Sequence, residues 1–142
     1  MAIHDAVSHR LQGVGQRYTA SRRAIVTALA AAPHPLSITE LVATGRGLAV
    51  SSVYRNLGVL EEAGVVHRID TSHEFKRYEL AEDLTEHHHH LICTGCGRVQ
   101  DFTASPGLER QTEQALAGVA GKSGFTVRGH RIDLVGLCRN CA

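Results

Sequence analysis

The sequence has no apolar run approaching the roughly 18 residues that a bilayer-spanning helix needs. Its first residues, MAIHDAVSHR, lack the apolar stretch of a secretory signal. Both absences point to a cytoplasmic protein without a membrane partner. Net charge is nearly absent too, +1 at pH 7 with histidines neutral, which is too little to argue for nucleic acid by itself. No cysteine stands alone: the four present form two CxxC pairs, Cys93/Cys96 and Cys138/Cys141. In a reducing compartment such close pairs point to metal rather than to disulfides. Nothing resembles HExxH, the zinc-hydrolase signature. There is no internal repeat, and the only low-complexity stretch is a run of histidines. With 43% hydrophobic and 20% charged residues, the chain is not disordered as a whole.

Residues 1–23 carry Arg10, Arg17, Arg22 and Arg23 against Asp5, a basic start that suits either phosphates or plain solvated surface. The segment SRRAIVTALAAA, residues 21–32, sets Ile25, Leu29 and Ala32 on one face with Val26 beside them. That spacing predicts a helix capped by Thr19 or Ser21 and stopped by Pro33 and Pro35. SITELVA, residues 37–43, predicts a short helix opened by a Ser37–Glu40 capping box. Ser51 and Ser52 open a third helix, VYRNLGVLEEAG, with Val53, Leu57 and Leu60 at helical spacing and Gly64 past its end. VVHRID and FKRYEL then predict a β-hairpin turning around TSH. Three helices followed by a hairpin is the winged helix-turn-helix order, with the third helix reading DNA and the hairpin as the wing. A small all-helical packing domain is the alternative. Tyr54 and Arg55 fall on the first turns of the third helix, where side chains reach base edges and phosphates, although Tyr54 could equally belong to a core.

AEDLTE, residues 81–86, is acidic and polar and suits a hinge. Beyond it come HHHHLIC as a strand, a TGCG knuckle, RVQDF as a second strand, a helix over 108–120, and one or two strands in FTVRGHRIDLVGLC. The expected fold class is α+β: a winged-helix domain over 1–80, a hinge over 81–86, and a small α/β domain over 87–142. So small a core gains from a tightly held structural metal.

Two CxxC pairs can bring four thiolates around one ion, the closed tetrahedral arrangement that structural zinc prefers. The alternatives are unrelated reduced cysteines or a redox CxxC. Ten histidines are present and four are consecutive, His87 to His90. On a strand, alternate side chains face opposite ways, so His87 and His89 project to one side and His88 and His90 to the other. One segment thus offers two metal half-sites. A flexible tract or a purification-tag remnant is the bland alternative, but a tag does not sit mid-chain and lead into LICTGC. Nearby acids are Glu79, Asp83, Glu86, Asp101 and Glu109. Imidazole with carboxylate suits iron, zinc, manganese and nickel alike.

Taken together, VSSVYRNLGVLEEAGVV, HHHHLICTGCG and the terminal CRNC resemble the ferric uptake regulator family of bacterial metalloregulators, from about Gln16 to Cys141. The resemblance implies a C-terminal dimerisation domain and a homodimer on palindromic double-stranded operator DNA. It implies repression of metal-uptake or stress genes when metal is bound, and no enzymatic activity. Carried over by position, Cys93, Cys96, Cys138 and Cys141 match a structural Zn2+ site. His34, Glu79, His88, His90 and Asp101 match the regulatory site, for Fe2+ or Zn2+, with Mn2+ and Ni2+ also compatible. His87, His89, Glu109 and His130 match a second site, and His67 resembles an additional ligand of the zinc-sensing branch. Arg17 matches a residue that reaches the minor groove, and Tyr54 and Arg55 the DNA-contacting pair, with Ser51 and Ser52 beside them. Three positions depart from the iron-sensing pattern or its zinc-sensing counterpart. His89 stands where iron sensors usually have Asp, the wing ends without a cysteine, and Asp101 in place of Glu resembles the peroxide-sensing branch. An all-nitrogen-and-oxygen sensor site favours iron, and peroxide sensing is the alternative within the family. From other classes, a zinc hydrolase would need an open metal position and a general base, and a metal-storage module would need no recognition helix.

Overall fold

The computed structural model describes residues 2–71 and 76–142. In chain order the elements are α1 (Ile3–Gly13), α2 (Ala20–Ala31), β1 (Leu36–Ser37), α3 (Ile38–Ala43), α4 (Val50–Glu62), β2 (Val66–Asp70) and β3 (Lys76–Leu80). A single 3-10 turn (Glu82–Leu84) leads to β4 (His89–Cys93), β5 (Val99–Phe102), α5 (Pro106–Ser123) and β6 (Asp133–Gly136).

Four helices, rather than the expected three, precede the wing. The extra one is α1, which buries only Val7 and Leu11 and whose first residue follows an Ala2 that makes no side-chain cap. So sparse an apolar face is a faint helical signal, and the recognition helix is therefore α4. The other starts follow their caps. The Thr19 hydroxyl accepts from the Arg22 N–H at 3.3 Å, and Ser37 and Glu40 form both halves of the capping box, each at 3.2 Å. Val7 and Leu11 meet Ile25, Val26 and Leu29 of α2, Leu41 of α3, and Val53, Leu57 and Leu60 of α4 in one core.

That core is floored by an antiparallel sheet in the order β1-β3-β2. Val66, Tyr78 and Leu80 point into the core, whereas His67 lies opposite Glu79 on the other face of the β2–β3 ladder. The expected hairpin turn falls largely on residues 72–75, outside the described residues. With the sheet under its helices, the N-terminal half is a winged helix-turn-helix.

The second sheet runs β5-β4-β6, with β4 antiparallel to β5 and parallel to β6. His90 therefore sits between Asp101 and Asp133. The ladder starts at His89, so His87 and His88 precede it. FTVRGHRIDLVGLC yields one strand, β6. Helix α5 is longer than the expected 108–120: the Ser105 hydroxyl caps it, Pro106 takes its first position, and Gly124 ends it at φ 72°. None of its residues is buried, and Leu108, Leu116, Val119, Leu134, Val135 and Leu137 are all exposed. The buried apolar cluster on this side is Ile69, Ile92 and Val99 alone among the described residues.

Candidate metal centres and DNA face

The tight turn after β4 and the turn after β6 bring Cys93, Cys96, Cys138 and Cys141 together, their sulfurs all within 4.8 Å of one another. The Cys96 and Cys138 sulfurs are 3.8 Å apart, too far for a disulfide. A tetrahedral ion with metal–sulfur bonds of about 2.3 Å has an edge of about 3.8 Å, so the spacing fits zinc. The electrostatics fit as well. Backbone N–H groups of Cys138 and Cys96 draw the Cys93 thiol down to about 6. Hydrogen bonds with Cys138 and Cys93 push Cys141 up to about 12. One thiolate is therefore ready near neutrality, and full ionisation of the set calls for a cation in its centre.

Gly95 makes this knuckle possible. A Cβ there would come within 2.9 Å of both Cβ and Sγ of Cys141. Gly95→Ala is accordingly expected to speed zinc loss to a chelator about tenfold, in line with an overpacking cost of about 1–3 kcal/mol. Unchanged release kinetics would show that the close approach is not needed.

A second set joins the two halves of the chain: Glu79 from β3 meets His88, His90 and Asp101, their ligand atoms within 4.8 Å. The Nε2 atoms of His88 and His90 lie 2.8 and 3.0 Å from Glu79 Oε2. His88 Nδ1 is 2.8 Å from the Glu86 carbonyl oxygen, and His90 Nδ1 is 3.5 Å from Asp133. Both imidazoles are thus oriented through their remaining nitrogen, as ligating histidines usually are. Burial opposes their protonation, but hydrogen bonds, from the Glu86 carbonyl and Glu79 at His88 and from Glu79 at His90, outweigh it and lift both above the ordinary value. Burial raises Asp101 instead, and its Oδ1 is buried without a hydrogen-bond partner among the described residues.

The opposite face assembles the third set, His87, His89, Glu109 and His130. His89, fully buried, has Nε2 2.6 Å from Glu109 Oε1, and its Nδ1 accepts from the Ile132 N–H at 3.1 Å. His130 Nε2 lies 2.7 Å from Glu109 Oε2 but lacks the alignment of a hydrogen bond. Glu109 thus faces three imidazoles at once, a donor set that suits a shared cation. The side-chain alternation therefore holds although the first two histidines precede the ladder.

Two expected ligands fall outside these sets. His34 Nδ1 contacts the Pro35 carbonyl oxygen at 2.9 Å. His67 touches the Arg131 guanidinium and lines a cavity of about 320 Å3 together with Glu79, His88 and His90. Asp83 instead forms a two-pronged pair with Arg10 of α1, at 3.1 and 2.6 Å. Sequence reasoning missed Glu82, which pairs with His87, and Asp133 behind His90. It also missed Arg77, whose Nε donates to the Gly97 carbonyl of the cysteine knuckle at 2.9 Å. The same guanidinium pairs with Glu40 of the capping box and donates to the Pro35 carbonyl at 3.3 Å.

On α4, Tyr54 is 62% exposed, which removes it from the core. Arg17, Ser51 and Arg55 are exposed as well, and Ser52 is half-buried. No helix is long and apolar enough to cross a membrane among the described residues.

Residues 13–135 match the ferric uptake regulator family. The ferric uptake regulation protein of Campylobacter jejuni is 42% identical over 94 residues, 66% of this chain and 55% of its own, so the chain spans about half of that relative. The peroxide operon regulator of Bacillus subtilis is 32% identical across 100% of this chain and 97% of its own. Among solved structures, the ferric uptake regulator of Helicobacter pylori, in which three functional metal binding sites are revealed, superposes with a TM-score of 0.74 at 28% identity. That match covers 98% of this chain and 91% of the other. With a family match spanning all but the ends and a relative aligned from end to end, the chain belongs to the ferric uptake regulator family.

Proposed function

We propose that the protein is a metal-dependent transcriptional repressor, a homodimer that binds palindromic operator DNA when its regulatory site is filled. One observation carries this reading: Glu79 belongs to the wing, while His88, His90 and Asp101 belong to the C-terminal half, and the four converge. A cation held there supplies a bond between the two halves. A ligand can shift an equilibrium only by its preference for one state, and a set divided between two units is complete only when they are correctly juxtaposed. His34 is the fifth ligand in this reading, and Fe2+ or Zn2+ the ion, with Mn2+ and Ni2+ compatible with the same donors. Cys93, Cys96, Cys138 and Cys141 hold a structural Zn2+. His87, His89, Glu109 and His130 form a further site, which brings the total to three, the number revealed in the Helicobacter pylori protein. The domains are 1–80, a hinge at 81–86, and 87–142. The exposed apolar residues of α5 and β6 are the dimer surface.

Arg17, Ser51, Ser52, Tyr54 and Arg55 face DNA in this reading. Arg55→Ala is expected to weaken operator binding by about 1–3 kcal/mol if it reads a base. Fluorescence anisotropy at fixed salt checks this, and wild-type affinity in the variant would remove Arg55 from the interface. Footprinting with and without each metal tests the function as a whole, and protection absent under every metal would overturn it. Peroxide sensing is the second reading, favoured by Asp101 and by the end-to-end match to the Bacillus subtilis regulator. Loss of operator binding on peroxide treatment of the iron-loaded protein distinguishes it.

A further inference from the structure

A buried polar residue on the recognition helix has no part in the metal chemistry. Asn56 is 7% exposed, the only buried polar side chain of α4. Its neighbours fix its orientation. The Arg22 Nε of α2 donates to Asn56 Oδ1 at 3.0 Å, and the Asn56 Nδ2 donates to Ser52 Oγ at 3.1 Å, one turn earlier on α4. An arginine has no acceptor, so the amide oxygen must face Arg22 and the amide nitrogen must face Ser52. Ser52 Oγ is thereby obliged to accept, and its proton is left free. Among the described residues it has no acceptor, and Ser52 is half-buried on the face that carries exposed Ser51, Tyr54 and Arg55. The same arginine reaches the other margin of this face. Its Nη1 donates to the Arg17 carbonyl oxygen at 2.7 Å and to Gln16 Oε1 at 3.1 Å, holding the loop that presents exposed Arg17.

We infer that Arg22 and Asn56 are positioning residues for the DNA interface: they turn the Ser52 hydroxyl proton outward to donate to a backbone phosphate and fix Arg17 relative to the recognition helix. This rests on the reading of α4 as the DNA-binding helix. A hydroxyl that accepts an internal bond is a stronger donor for an anion than one free to rotate. Such contacts set register on the duplex rather than sequence preference.

Asn56→Asp reverses the direction of the relay while keeping its shape. The carboxylate still accepts from Arg22 but cannot donate, so Ser52 must turn its proton inward and present only lone pairs to the phosphate. The test is a double-mutant cycle of Asn56→Asp and Ser52→Ala, read as affinity of the full-length, metal-loaded protein for operator DNA. Melting temperature and zinc content are followed alongside. Each single substitution is expected to lower affinity about tenfold, the size of one hydrogen bond to a charged group. In the Ser52→Ala background Asn56→Asp should cost less than about twofold, because its target is gone, and Ser52→Thr should keep affinity. An equal loss from Asn56→Asp in both backgrounds would mean that its charge, not the relay, weakens binding, and would overturn the proposal. Unchanged affinity in Ser52→Ala would also overturn it, while Arg55→Ala separately reports whether α4 meets DNA at all. If Asn56→Asp does not fold, Arg22→Lys serves instead. It keeps the charge but loses the Nε donor, so its loss should be smaller in the Ser52→Ala background, the remainder being the share that passes through Arg17; an equal loss in both backgrounds would overturn the Ser52 relay.

Discussion

Replacing Cys96 with serine is expected to strip the protein of structural zinc and to unfold the C-terminal half at temperatures where the N-terminal half survives. The C-terminal half has little else to hold it. Its buried apolar cluster among the described residues is Ile92 and Val99, joined by Ile69 from the wing, and no residue of α5 is buried within the chain. Structural zinc contributes an apparent folding free energy of about 10–16 kcal/mol in small domains at neutral pH, and a missing ligand forfeits much of it. Cys96 is itself exposed, so the substitution opens no cavity and any large effect must come through the metal. The N-terminal core, from Val7 to Leu80, is separate from this site. Elemental analysis should therefore find zinc lost, and calorimetry should resolve two transitions, the lower one new. A Cys96→Ser protein that keeps its zinc and melts as one unit would refute the assignment.

How much of this was legible in the sequence depended on the range of the interactions. The Ser37–Glu40 capping box, the apolar stripes of α2 and α4, and the CxxC pairs are local patterns, and residues 37–43 fold as that box requires. The two-faced histidine run was legible because side-chain alternation is a property of an extended backbone, strand or not. Helix α1 was not, since two buried residues among charged ones carry little periodicity and the burial of Val7 and Leu11 in the common core is what holds them. Ligand groups drawn from distant segments needed a resemblance to assemble them. Glu79 and Asp101 come together with His88 and His90 only through the pairing of β4 with β5 and the return of the wing. Arg77, Asp133 and Asn56 were invisible for the same reason, being polar residues whose partners lie elsewhere in the chain. The 3-10 turn is held partly by Arg10 of α1, which also donates to the Gly64 carbonyl at 2.7 Å. The acidic, polar segment expected as a hinge thus makes a side-chain pair with α1 through Asp83.

The division of four consecutive histidines between two sites yields the sharpest functional expectation. His88→Ala/His90→Ala removes two ligands of the set that includes Glu79, and with them the link between the halves. The metal-dependent gain in operator affinity should disappear, a loss of about 5- to 150-fold for a coupling of ordinary size. His87→Ala/His89→Ala removes ligands whose partners, Glu109 and His130, lie in the same half, so most of that gain should remain. Because His89 and His90 are both buried, each variant also leaves a cavity, and the contrast between the two pairs separates metal coupling from a general loss of packing. Protons supply an independent check. Glu79 helps hold His88 and His90 above the ordinary 6.5, so protons compete with the cation at and above that pH. In the wild type, the metal concentration for half-maximal operator binding should fall as pH rises from about 6 to 8, since binding must displace those protons. The His88→Ala/His90→Ala protein should have lost this pH dependence together with the metal response. Retention of full metal-dependent binding by that variant, with its abolition in the His87→Ala/His89→Ala protein, would mean that the regulatory role belongs to the Glu109 face instead.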